Sequence, residues 1–165
     1  MNTSLVASLP VFATVLLGGF RNEEELSRTL QNSAKKVSFP AKALLHDEDF
    51  KCTPYEVYSV EIALVLVTPE MFGYKHFTGY KMFSESIQKA GLTLCPRDTG
   101  PVHFLRNEKP LTVERIFYGS RPIGQKCAIF SARKWHETNV LYASHVEEMK
   151  PPSVSPQDKF LFVRP

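Results

Sequence analysis

"GLTLCPRDTGP", Gly91 to Pro101, decides how this chain of 165 residues is laid out. Ahead of it, Tyr80, Phe83 and Ile87 repeat at helical spacing, which predicts a helix running to Ala90 with Thr78 placed to cap it. Gly91 is the expected left-handed stop. Behind the glycine we expect a short extended piece packing Leu92, Leu94 and Cys95 inward, then a corner at Gly100 and Pro101. Asp98 would accept backbone hydrogen bonds across that corner, as aspartates in turns do. On this reading the segment turns the chain out of a helical half and into a run of strands.

Upstream, "VFATVLL" (Val11 to Leu17) reads as a buried strand that stops at Gly18 and Gly19, preceded by an irregular lead-in. Asn22 then caps a helix, with Glu25 at capping-box spacing and Glu23 and Glu24 at the positive end of the helix dipole. Leu26 and Leu30 share one face of it. Pro40 opens a second short helix, Ala41 to His46. "YSVEIALVLVT" (Tyr58 to Thr68) is the strongest strand. Its unbroken apolar run from Ile62 to Val67 requires cover on both faces, and Pro69 ends it.

Downstream, strands are expected near Val102 to Leu105, Thr112 to Tyr118, Lys126 to Ser131, Val140 to Ala143 and Lys159 to Arg164. "PPSVSP" (Pro151 to Pro156), within a Pro-rich connector over 150–157, reads as rigid and extended. Strands gathered in the second half favour a single α+β domain over 1–165. Its sheet would be mixed or mostly antiparallel, with two or three helices packed on it and residues 1–9 flexible.

Composition narrows the function classes. Hydrophobic residues make up 43% and aromatics 12%, enough for a real core. The formal charge of +3 is uneven: 9 Lys/Arg against 10 Asp/Glu up to Pro96, then 11 against 7 from Arg97 onward. Cys52, Cys95 and Cys127 are odd in number, widely spaced and without a CxxC, which argues against a disulfide framework or zinc site and for a cytoplasmic setting. "LVASLPVFATVLLGG" lacks a basic leader and is interrupted by Pro10, so neither a secretory signal nor a membrane span is expected.

The chain resembles a family of small uncharacterised bacterial proteins common in candidate-phylum genomes. That family carries "P-x-W-K-T-I-x-L-G", then "V-x-L-V-V-V-T-x-x-E-L-G-F", then "G-L-x-L-C-P-A-E-V-G-P", and closes on "R-F-V-F". Here "PVFATVLLGG" (Pro10 to Gly19), "VEIALVLVTPEMFGY" (Val60 to Tyr74), "GLTLCPRDTGP", "RPI" (Arg121 to Ile123) and "KFLFVR" follow in the same order. Asp98 stands where the family has an acidic residue, His103 falls near a basic position, and Arg121 reverses the charge of a glutamate. The resemblance implies a shared fold and no particular activity.

Three kinds of site compete. The enzyme reading makes Cys95 a nucleophile, His103 its base and Asp98 the orienting acid. Against it, Cys-Pro is a stiff extended context, and buried free cysteines behave mostly as small hydrophobes. The histidines at 46, 76, 103, 136 and 145 show no HxH, HxxxH or HExxH spacing, so no metal is expected. No cofactor is expected either. Gly18 and Gly19 before the Asn22 cap resemble a phosphate turn in position, but Glu23 to Glu25 would repel an anion.

The binding reading divides in two. Arg106, Lys109, Arg115, Arg121, Lys126, Arg133 and Lys134 interleave with Phe104, Phe117, Tyr118, Phe130 and Trp135, the pattern of stacking platforms with basic rims that a nucleic-acid-binding sheet presents. Alternatively, "EMFGYKHFTGY" offers Phe72 and Tyr74 among exposed aromatics for a protein partner. Arg97, beside Asp98, is a further candidate for facing a ligand. We therefore expect a non-catalytic binding or interaction module, with a small enzyme built on Cys95, Asp98 and His103 as the alternative.

Overall fold

In the computed structural model, which describes residues 3–53 and 59–165, seven strands share one mixed sheet. They are β1 (Val11–Leu17), β2 (Lys36–Val37), β3 (Val60–Val67), β4 (Arg115–Tyr118), β5 (Ala128–Trp135), β6 (Thr138–His145) and β7 (Lys159–Arg164). Their order across the sheet is β1-β3-β7-β4-β5-β6-β2. The β7–β4 and β6–β2 pairs are parallel and the others antiparallel. Tyr58, the expected start of the strongest strand, lies outside the described residues.

Five helices pack on this sheet, where two or three were expected: α1 (Thr3–Ser8), α2 (Glu23–Asn32), α3 (Phe39–Leu45), α4 (Tyr80–Lys89) and α5 (Thr99–Arg106). The alternation of side chains along a strand sorts them into two layers. In β7, Leu161 and Val163 enter one core with Leu26 and Leu30 of α2, Leu44 of α3 and Val102 of α5. Phe160 and Phe162 enter the other with Val6 of α1 and Phe83 and Ile87 of α4. Cover on both faces is what the apolar run of β3 demanded. Its Ile62 and Leu64 face the first core, and Val65 and Val67 the second.

The predicted caps hold in part. The Asn22 side chain accepts from the Glu25 N–H at 2.9 Å, and the Glu25 carboxylate reaches back to the Arg21 N–H at 2.6 Å. Ser38 caps α3. Thr78 does not cap α4, which starts from Gly79 at φ 115° with no side-chain cap. The stop at Gly91 is as predicted: φ is 98°, the Gly91 N–H bonds Gln88 C=O and the Leu92 N–H bonds Ile87 C=O.

The corner after Cys95 is where the sequence reading fails. The strand expected at Val102 to Leu105 is the middle of α5. Four residues, three of them apolar, fit strand and helix equally well. Here Pro101 sits in the first turn, where its missing N–H costs nothing. Gly100 lets the helix lie directly on the sheet: a Cβ there would stand 2.8 Å from Cβ of Phe130 and 2.9 Å from Cδ2 of Tyr118.

Three smaller differences accompany this one, of which the sheet order explains the first. β1 is an edge strand, with Val11, Phe12 and Leu16 exposed and only alternate positions buried. The lead-in before it is helical at Thr3–Ser8. The Pro-rich connector turns instead of running extended, and Val154 within it is buried. Among the described residues, no helix is long and apolar enough to cross a membrane.

Candidate functional site

The three residues of the enzyme reading are held by three different partners. Cys95 is 3% exposed, and its thiol donates to the Leu161 carbonyl at 3.3 Å. Burial pushes that thiol far up, away from the thiolate that nucleophilic chemistry needs. Asp98 is 1% exposed and accepts from Thr53, from the N–H at 2.7 Å and the hydroxyl at 3.1 Å. Burial raises its carboxyl and the Thr53 bonds act against the rise. The acceptor role expected of Asp98 is thus real, but the donor is a distant segment and not its own corner.

His103 shares a 2.9 Å hydrogen bond between Nδ1 and the Tyr118 hydroxyl, and burial lowers its imidazole to about 4. It lines a hollow between β1 and residues 107–112. Cys95 lines a separate shallow one with Leu94, Pro96, Arg97 and Arg121. No hydrogen bond joins Cys95, Asp98 and His103 among the described residues.

Several predicted binding residues are tied into the fold. The Arg97 guanidinium donates to the carbonyls of Asp49 at 2.7 Å and Pro122 at 3.1 Å, pinning two loops. Arg106 donates to the carbonyls of Leu16 and Gly18 and lies over the Phe20 ring. Phe72 and Tyr74 are half-buried, each packed edge-on against Phe83, and the Tyr74 hydroxyl bonds Ser86 at 2.7 Å. The loop of exposed aromatics is therefore largely an outlying part of the second core. Arg121 is exposed.

Of the proposed stacking platforms, Phe104, Phe117, Tyr118 and Phe130 are buried. Phe117 and Tyr118 are consecutive and enter opposite cores, Phe130 joins Tyr118, and Phe104 lies on the buried face of α5. Trp135 is different. It ends β5 at the hairpin tip and is 57% exposed. Behind it, Arg133 lies directly across from Arg115 in the β4–β5 register. Like charges so placed repel. Arg115 is neutralised by both carboxylate oxygens of Asp158, at 2.8 and 2.9 Å, and lies over Phe117. Arg133 has no carboxylate partner among the described residues; its guanidinium lies over the Tyr142 ring, 5.5 Å from the centroid.

No family model, no curated protein and no solved structure matches this chain. What the site does must therefore be read from its own geometry. Register and alternation put Arg115, Arg133, Trp135 and Tyr142 on the sheet face that also carries Phe117 and Ile129. Phe83 of α4 packs over Phe160 and Phe162 of β7, so the far end of this face is left to Arg133, Trp135 and the half-buried Tyr142. The strand ends here form a hollow of about 860 Å³, where Arg115, Arg133, Lys134 and Lys159 outnumber Glu114 and Asp158.

Tyr142 and Lys159 are the members of this surface that sequence reasoning missed. The signal lay in the alternation along β5 and β6. Using it required the hairpin register, and Lys159 arrives from β7 only through the sheet order.

Proposed function

We propose that the chain is a non-catalytic binding module that takes an anionic partner at the strand-end surface around Arg133 and Trp135. The observation that carries this reading is Arg133, a guanidinium with no carboxylate partner among the described residues, set opposite a second arginine beside the exposed Trp135. An anion seated there meets the guanidinium that Asp158 does not neutralise and the excess of cations around the hollow. Cys95 and His103 line separate hollows and Asp98 lines neither, which supports binding over catalysis, since a nucleophile and its base must converge.

Retention on an immobilised polyanion tests it. Arg133→Glu is expected to elute at clearly lower salt than the native protein. Arg28→Glu, the same charge change on α2, is expected to elute close to the native position. Equal shifts for the two variants would mean that only net charge is being read, and the proposal would fall.

A further inference from the structure

Resting on that reading, we infer that the anionic partner is a single-stranded nucleic acid, bound along the open face of the β5–β6 hairpin. The face presents one exposed ring, then a cation that lies over a second, half-buried ring. Trp135 stands at the tip, Arg133 two residues back on the same side, and Tyr142 across from Ser131. Four residues of strand separate Trp135 from the Tyr142 position, about 13 Å at ~3.3 Å per residue. That is a span of a few nucleotides at ~3.4 Å per stacked step.

A single strand offers the same alternation, flat bases joined by charged phosphates. Exposed aromatics accept its bases while cations track its backbone. A duplex keeps its bases stacked on one another and cannot use Trp135 in this way. An acidic protein could neutralise Arg133 and Lys134 and offer an occasional ring, but its carboxylates and rings do not alternate at a fixed spacing as phosphates and bases do. His136 packs edge-on against Trp135, with ring centroids 5.6 Å apart.

The chain contains a single tryptophan, so its fluorescence reports on this site alone. A twelve-nucleotide oligo(dT) or oligo(U) titrated at low salt is expected to quench Trp135. In anisotropy with a labelled oligonucleotide, Trp135→Ala is expected to weaken binding by roughly tenfold or more, as loss of one base-aromatic stack does. Trp135→Phe should keep most of the affinity. Arg133→Ala is expected to lower the slope of log affinity against log salt by about one. Trp135 is exposed, so these variants leave the core intact.

Polyglutamate and a duplex of the same length are the competing arms. If either binds as tightly as the oligonucleotide, or if Trp135→Ala binds the oligonucleotide unchanged, the nucleic-acid inference is overturned while an anion-binding surface stands. If no polyanion binds at all, both the inference and the reading beneath it fail.

Discussion

Asp98 and Thr53 join the segment before β3 to the start of α5. The carboxylate accepts both the N–H and the hydroxyl of a residue 45 positions away. These bonds let an ionisable group stay at 1% exposure where the chain enters its least legible helix. Asp98→Ala is expected to destabilise the fold by ~1–3 kcal/mol, because the Thr53 donors lose their acceptor. Asp98→Asn keeps an acceptor oxygen and should cost less. Chemical denaturation of the two variants at pH 7 checks the order, and equal losses would count against these bonds.

The pH dependence of stability should carry two opposing contributions. His103 is lowered from 6.5 to about 4 in the folded chain, so it stays neutral there while the unfolded chain takes up a proton. Its contribution is complete above pH 6.5 and is lost as pH falls toward 4. The interval corresponds to ~3 kcal/mol at most. Asp98 runs the other way: its raised carboxyl costs stability as pH climbs from 3.8 upward. His103→Gln is therefore expected to flatten the loss of stability between pH 6.5 and 4, and Asp98→Asn to steepen it. Denaturation midpoints measured across this range decide the matter.

Thiol labelling separates structural cysteines from reactive ones. Burial, with the Asp98 and Glu23 carboxylates adding to it, pushes Cys52 up to about 12, and burial pushes Cys95 higher still. At pH 8 both thiols then remain protonated. Iodoacetamide should modify Cys52 and Cys95 in the folded protein far more slowly than in the unfolded chain. Rapid labelling of Cys95 in the native state would return the nucleophile reading to contention.

Gly100→Ala tests how closely α5 rests on the sheet. In an open helix this change is favourable by up to ~1 kcal/mol. Here the new methyl would meet Phe130 Cβ, which is fixed to backbone, and the Tyr118 ring. We expect a net loss of ~1–3 kcal/mol from overpacking. A thermal midpoint unchanged or raised would show that α5 can lift from the sheet without penalty.

The local features of the chain were legible because they depend on neighbours within one turn. The Asn22 cap, the Gly91 stop, the apolar run of β3 and the closing strand β7 each follow from residues a few positions apart. The mixed α+β architecture followed from how those pieces are ordered. The strand expected at Lys126 to Ser131 stopped short of Arg133 and Trp135, which pairing with β6 adds to β5.

What only the tertiary structure decided depends on which strands become neighbours. "VHFL" is a helix because Gly100 meets Phe130 and Tyr118, residues of strands that come later in the chain. Val11–Leu17 is an edge because no strand pairs with it beyond β3. Phe117 and Phe130 are core and Trp135 is surface because the sheet's helices cover its middle and leave the hairpin tip bare. The pairing of Arg133 with Arg115, and the addition of Tyr142 and Lys159 to their surroundings, required strand register and sheet order. Burial of the whole sheet sets both, and no short stretch of residues encodes either one alone.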